Sequence, residues 1–121
     1  MNNRKHNARN PYQGNSERVL CICSAGLLRS PTVANVMARH GYNTRAAGLE
    51  ANFALIPVDD VLLHWADSLV VMDISQAEEL SEKFNGPIYN FSLPDNYEYM
   101  DTELVGIIEG RLKRLSDWSF Q

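Results

Sequence analysis

From Arg18 onward, unbroken apolar runs alternate with segments whose apolar residues recur every three or four positions. After its arginine, the run 18–23 (Arg-Val-Leu-Cys-Ile-Cys) is apolar throughout, as a parallel strand covered on both faces would be. Ser30 has N-cap chemistry and Pro31 suits a first helical position. Val33, Val36, Met37 and His40 form the stripe of the helix that follows, and Gly41 stops it. A short strand is expected over 43–47, ending at Gly48, then a loop over 49–57. Pro57 opens a predicted helix over 58–66, and Leu69-Val70-Val71-Met72 reads as the next strand. Ser75 and Glu78 have capping-box spacing for a helix over 76–84. Gly86-Pro87 breaks that helix, and residues 88–91 read as a fourth strand. Asp101 is the expected N-cap of a last helix reaching about Leu115. Gly106 and Gly110 lie one turn apart in it and are expected to permit close packing on the sheet.

Alternation of this kind implies a parallel sheet with helices on both faces and right-handed crossovers. In such sheets ligands bind at the carboxyl ends of the strands, where the strand order reverses. Cys23, Gly48, Asp73 and the 92–101 segment all fall at those ends. With 121 residues there is room for one core, expected over 18–121. Residues 1–17 are rich in Asn and Arg and nearly free of apolar side chains, and read as a disordered tail. They lack the apolar run of a signal peptide.

Charge narrows the partners. The chain carries −4 overall, but residues 18–121 hold eight basic and fourteen acidic side chains. A body that acidic is a poor binder of nucleic acid, which needs clustered Lys and Arg. No stretch approaches the roughly 20 apolar residues of a membrane span. Two cysteines on one strand do not make a disulfide framework, so the cytoplasm is the expected setting.

The chemistry sits in Cys23-Ser24-Ala25-Gly26-Leu27-Leu28-Arg29-Ser30-Pro31. A bare Cys-x5-Arg spacing is weak; its place between a strand and a capped helix raises its weight. Backbone N–H groups of such a turn converge on an anion, and the helix N-terminus adds partial positive charge. Gly26 suits a tight nest, and Arg29 offers a planar fork matched to two phosphate oxygens. The same donors stabilise a thiolate at Cys23, with the Ser30 hydroxyl placed to donate to it. Cys21, two residues earlier on the same face but deeper, reads as core. A Cys-x-Cys pair without further cysteines is not a zinc clamp, so no metal site is expected.

A Cys-His hydrolase would need an imidazole within reach of Cys23. His40 stands about ten helical residues away, roughly 15 Å along the axis. His64 ends a helix at the opposite edge of the sheet and His6 lies in the tail. A thiolate activated by an anion site needs no histidine. Phosphoryl transfer from an aryl ester does need a proton donor for the leaving oxygen. Asp95, in Leu93-Pro94-Asp95-Asn96-Tyr97-Glu98-Tyr99-Met100-Asp101, lies just beyond the fourth strand on the right edge. Partial burial and nearby carboxylates would favour its protonated form. Asp101 is the rival, though helix capping already explains it. Tyr97 and Tyr99 either wall the pocket or pack on the last helix.

These residues resemble the low-molecular-weight protein tyrosine phosphatases, most closely a short, compact branch. The segment from Cys23 to Thr32 looks like that family's phosphate loop and first helical turn. Ala47-Gly48-Leu49, Trp65-Ala66-Asp67, Val71-Met72-Asp73 and the stretch from Leu93 to Asp101 add weaker support, and together these cover most of 18–117. The resemblance implies a flavodoxin-like three-layer α/β fold, with a four-stranded parallel sheet in the order 2-1-3-4 and helices on both faces. It also implies a two-step reaction that uses no cofactor. Cys23 would attack phosphorus to form a phosphocysteine while Arg29 and the loop (Ser24, Ala25, Gly26, Leu27, Leu28, Ser30) hold the phosphate oxygens. Asp95 would protonate the departing phenol and then deprotonate water. The implied partner is a phosphorylated protein or a small aryl phosphate.

The chain also departs from that pattern. Leu28 stands where a second, protective cysteine often precedes the arginine, so no redox switch is expected within the loop. Gly26 replaces a bracing asparagine, Ala34 replaces a glutamate, and Pro94 precedes the acid rather than following it. The 49–57 loop is short, with Phe53 as a partial wall. Arsenate reductases share the Cys-x5-Arg loop but need further cysteines. Phosphocysteine carriers of sugar phosphotransferase systems need no arginine there and would leave Asp95 idle. A non-catalytic phosphate- or phosphopeptide-binding module on the same fold is the remaining alternative.

Overall fold

Four parallel strands make one sheet: β1 (Arg18–Cys23), β2 (Asn43–Gly48), β3 (Ser68–Val71) and β4 (Ile88–Asn90), in the order β2-β1-β3-β4. The computed structural model describes residues 17–24, 29–49, 56–94 and 96–119. The expected tail, up to residue 16, lies outside the described residues. β1 is central, running from Arg18↔Asn43 to Cys23↔Gly48 on one side and from Val19↔Ser68 to Ile22↔Val71 on the other. The chain leaves β1 outward to β2 and returns on the far side to β3. The strand order therefore reverses at β1, and a crevice opens beyond its carboxyl end.

The helices are α1 (Arg29–Arg39), α2 (Asp60–Trp65), α3 (Ile74–Ser81) and α4 (Thr102–Ser119). Successive strand residues point to opposite faces, and the burial follows that rule. Val19, Cys21, Cys23, Val70 and Met72 pack with α1 and α4 through Val33, Met37, Leu104 and Ile108. Leu20, Ile22, Leu69 and Val71 pack with α2 and α3 through Leu62, Leu63, Trp65 and Leu80. Both faces of β1 and β3 are covered, which is why these strands read as unbroken apolar runs. This is the expected three-layer, flavodoxin-like arrangement. No described helix is long and apolar enough to cross a membrane.

Helix starts are where the structure corrects the sequence reading. Pro57 does not open α2; it bridges to Gly48 at the end of β2, flanked by Gly48 N–H to Ile56 O and Val58 N–H to Gly48 O, both 2.9 Å. Asp59 is the cap instead, its Oδ1 accepting from Leu62 N–H at 2.8 Å. Ser75 does not cap α3 either. Asp73 Oδ1 accepts from Gln76 N–H at 3.0 Å and from the Ser75 hydroxyl at 2.7 Å. A carboxylate has lone pairs for both donors, so it outcompetes the hydroxyl beside it. α3 therefore runs 74–81 rather than 76–84. Ser30 is not the N-cap of α1, because the helix already includes Arg29 and places Ser30 inside the first turn. Asp101 does cap α4, accepting from Glu103 N–H at 2.9 Å and Leu104 N–H at 3.3 Å, and that helix continues past Leu115 to Ser119.

Gly106 and Gly110 do not mediate close packing. A Cβ added at either would meet nothing within 4 Å, and both residues are exposed. They sit on the outer side of α4, where they only weaken the helix. Gly106→Ala and Gly110→Ala are each expected to stabilise the protein by about 0.5–1 kcal/mol. Thermal unfolding would show this as a rise of a few degrees for each. A fall in Tm for either variant would contradict the open space seen here. Gly86 is the opposite case: a Cβ there would lie 2.9 Å from Asp67 O, so the turn into β4 requires a glycine.

Candidate active site

The carboxyl end of β1 delivers Cys23 to the crevice, 4% exposed. Its carbonyl accepts from Leu49 N–H at 2.9 Å, which ties the strand end to the residue after β2. α1 includes Arg29, and Ser30 in its first turn reaches the Cys23 sulfur, so the helix start lies against the strand end. Ala25, Gly26, Leu27 and Leu28, the expected anion nest, lie outside the described residues. Ser24 is half-buried beside Cys23.

The Ser30 hydroxyl lies 3.2 Å from Cys23 Sγ, and Ser30 is fully buried. It also lies 3.4 Å from Ala47 O, to which it donates. One hydroxyl proton thus has two acceptors to choose from. With a thiol, S–H donates to Oγ and O–H to Ala47; with a thiolate, O–H turns to the sulfur. Hydrogen bonds to charged groups contribute about 1.5–3 kcal/mol. Ser30→Ala is therefore expected to slow alkylation of Cys23 by iodoacetamide at neutral pH about tenfold or more, with the fold intact. An unchanged alkylation rate would mean the hydroxyl does not support the thiolate.

Cys21 lies one strand pleat deeper and is wholly buried. Burial, and secondarily the charge of Cys23, push its thiol far above the ordinary range. It is a core side chain, as its position predicted. Neither cysteine is in a disulfide.

Arg29 is half-buried and donates through Nη1 to Leu93 O at 3.0 Å. Leu93 N–H in turn bonds Met72 O at 3.0 Å, so the guanidinium links α1 to the chain beyond β3 and β4. Its charge also reaches Asp73. The Ser75 hydroxyl and the Gln76 N–H chiefly hold that carboxyl below the usual carboxylate range, and Arg29 adds a smaller pull in the same direction.

The segment after β4 is pinned at both ends. Ser92 has φ 51° and Met100 φ 60°, left-handed conformations that cost non-glycine residues about 1–3 kcal/mol each. Asn90 Oδ1 accepts from Ser92 N–H at 2.8 Å, and the buried Thr32 Oγ1 accepts from Met100 N–H at 3.0 Å. Tyr99 Oη accepts from Asn35 Nδ2 at 3.3 Å. The segment therefore lies along the first turns of α1, beside Arg29. Asp95 itself lies outside the described residues. Asp101 is engaged as the α4 cap. Tyr97 is half-buried against the α1/α4 side of the core, and its hydroxyl bonds Glu103, which raises the phenol above its ordinary range.

The histidines lie where the sequence put them. His40, just past α1, bonds Glu109 at 2.6 Å on the surface, and the exposed His64 sits in the last turn of α2. Three contributors were not legible: Thr32 and Asn35 as anchors of the 92–100 segment, and Gln76. The Gln76 side chain is 4% exposed, and its Oε1 accepts Met72 N–H at 2.8 Å at the end of β3. Each acts on a group distant in sequence or on bare backbone, which leaves no pattern in the chain. Among the described residues no cluster of three or more His, Cys, Asp or Glu could hold a metal ion.

No family model matches the chain, and no curated protein sequence does. Solved structures do. The tyrosine phosphatase Wzb from Escherichia coli K30, in complex with sulphate, matches with a TM-score of 0.68 at 20% identity, over 84% of this chain and 97% of that one. The same phosphatase in complex with phosphate gives a TM-score of 0.64 at 20% identity over the same shares. The YwlE arginine phosphatase from Geobacillus stearothermophilus gives 0.60 at 14% identity, over 86% of this chain and 96% of that one. With its sheet order, its two helical layers and this near-complete overlap, the chain has the fold of the low-molecular-weight protein tyrosine phosphatases.

Proposed function

We propose that this chain is a cysteine-dependent phosphatase that hydrolyses phosphotyrosine or another aryl phosphate monoester through a phosphocysteine intermediate. One observation carries the reading: Cys23 ends the strand at which the sheet order reverses, its sulfur 3.2 Å from Ser30 Oγ in the first turn of α1. A nucleophile with a hydroxyl donor beside it, at the start of a helix whose first described residue is an arginine, is the set of groups an oxyanion site uses, and this supports the reading. The likeness to a tyrosine phosphatase solved with sulphate and with phosphate supports an oxyanion at that point.

In the first step the Cys23 thiolate attacks phosphorus as the bond to the aryl oxygen breaks. Asp95 gives its proton to that oxygen, and the phenol leaves. In the second step Asp95, now a carboxylate, takes a proton from water as the water oxygen attacks phosphorus. The S–P bond breaks, phosphate leaves, and thiolate and acid are restored. Arg29 and the loop N–H groups balance the charge on the three equatorial oxygens throughout. The reaction needs no cofactor, the substrate is a phosphorylated protein or a small aryl phosphate, and the cytoplasm is the setting that suits an essential thiolate.

The test is hydrolysis of a chromogenic aryl phosphate in the presence of a chelator. Wild type is expected to turn over, vanadate to block it, and Cys23→Ser to be inactive. Wild-type turnover no greater than that of Cys23→Ser would favour the non-catalytic phosphate-binding module. Because an arginine phosphatase has this fold too, phosphoarginine and phosphotyrosine peptides are compared in the same assay, with phosphotyrosine expected to be preferred.

A further inference from the structure

β4 is the last strand of the sheet, and its outer edge is open among the described residues. Pro87 O and Phe91 N–H bond to β3, through Leu69 N–H and Val71 O. By the alternation of a parallel ladder, the backbone groups of Ile88 and Asn90 face away from the sheet. Along this edge, between β4 and α4, runs a cleft of about 370 Å³ whose lining includes Ile88, Asn90, Ser92, Arg111 and Arg114.

Two of those side chains are cations. Arg111 is held in place by its Nε–H, which donates to Phe91 O at 2.7 Å. Neither its terminal nitrogens nor Arg114 has a carboxylate partner among the described residues. The concentration of charge is local. Arg111, Lys113 and Arg114 are three of the eight basic residues in 18–121, within a body that carries fourteen acidic ones. A surface of that sign does not collect cations by default. Glu17 acts near the other end of β4, where burial and, to a lesser extent, its charge raise the Tyr89 phenol. An anionic occupant is therefore favoured toward Ser92.

Ser92 is also the point where the cleft meets the candidate active site. The next residue, Leu93, accepts the hydrogen bond from Arg29. A chain lying along β4 would run toward the Cys23 crevice.

We infer that this cleft is a docking site for an acidic, extended segment of the phosphorylated protein substrate, with the segment's backbone adding to β4 and its Asp or Glu carboxylates meeting Arg111 and Arg114. Residues 1–16 lack the chemistry of such an occupant, since they carry Arg4, Lys5 and Arg9 and no acid. The role in substrate choice rests on the phosphatase reading; the binding of acidic peptide does not. Strand addition supplies affinity through main-chain bonds, and the arginines supply selection by charge.

Two measurements test it. Fluorescence anisotropy follows a labelled ten-residue peptide rich in Asp and Glu, without phosphate, against its Asn and Gln counterpart, using the full-length Cys23→Ser protein. The acidic peptide is expected to bind about tenfold tighter or better, and Arg114→Gln, an exposed change away from the catalytic groups, to remove most of that preference. In kinetics, Arg114→Gln is expected to raise KM for a phosphotyrosine peptide with acidic neighbours several-fold. It should leave kcat, and the hydrolysis of a small aryl phosphate, within twofold of wild type. Equal binding of the two peptides, or an acidic preference that survives Arg114→Gln, would overturn the docking site. A wild type that binds the acidic peptide but hydrolyses nothing would uphold the site and overturn only the phosphatase reading.

Discussion

Cys23→Ser is expected to reduce aryl phosphate hydrolysis by at least about 10⁴-fold while leaving the protein folded and able to bind phosphate. Serine is nearly isosteric here, and its hydroxyl can keep a hydrogen bond to Ser30 Oγ, which lies 3.2 Å from the present sulfur. What it loses is the anion. A thiol is a far stronger acid than an alcohol, and only the anion attacks phosphorus at a useful rate. Arg29 and the first turn of α1 are untouched, so inorganic phosphate should still bind. The measurements are kcat on a chromogenic aryl phosphate, phosphate binding, and Tm. Cys21→Ser is the control. It places a hydroxyl in a fully buried core site and should cost about 1–3 kcal/mol of stability without removing turnover. Activity that survives Cys23→Ser but is lost in Cys21→Ser would exchange the roles of the two cysteines.

Asp95→Asn carries the second large effect, a loss of about 10²–10⁴ in kcat with ordinary phenol leaving groups. A general acid matters in proportion to the basicity of the oxygen it protonates. With a very acidic phenol the leaving group departs without help, and the loss should shrink toward unity. The described residues on either side of Asp95 are anchored. Arg29 holds Leu93 O at 3.0 Å on one side, and Thr32 holds Met100 N–H at 3.0 Å on the other. Asp101→Asn separates the rival cleanly. Asn caps helices about as well as Asp, so the bonds to Glu103 and Leu104 N–H should persist and Tm should stay nearly unchanged. Its kcat is expected to stay near wild type with every leaving group. A leaving-group-dependent loss in Asp101→Asn, with Asp95→Asn unaffected, would assign the acid to Asp101.

Legibility differed by element. β1 and β3 were readable because burial on both faces demands apolar residues without interruption, and β1 was bounded to the residue. The start of α2 and α3 was misjudged because several cap formers stand close together there. Pro57, Asp59, Ser75 and Asp73 each have local preferences for a helix start, and local preference alone does not rank them. The ranking came from what surrounds them: Gly48 claims the chain at Pro57, and Asp73 collects two donors at once. Gly106 and Gly110 were misread for a related reason. Their spacing places them on one side of α4 but says nothing about which side meets the sheet. The stripe Leu104, Ile108 and Leu112 takes that side.

The chain by itself determined that Cys23 ends an apolar run and that Arg29 follows six residues later at the start of a helical pattern. Those are short-range facts, set by burial and backbone preference within a few residues. Tertiary structure alone decided that Ser30 lies inside the first turn of α1 rather than capping it, and that Arg29 is tied to Leu93, 64 residues away. It also decided that Arg111 and Arg114 line a cleft along β4. Contacts of that range depend on how layers stack and which edge is left uncovered, and no periodicity along the chain encodes them.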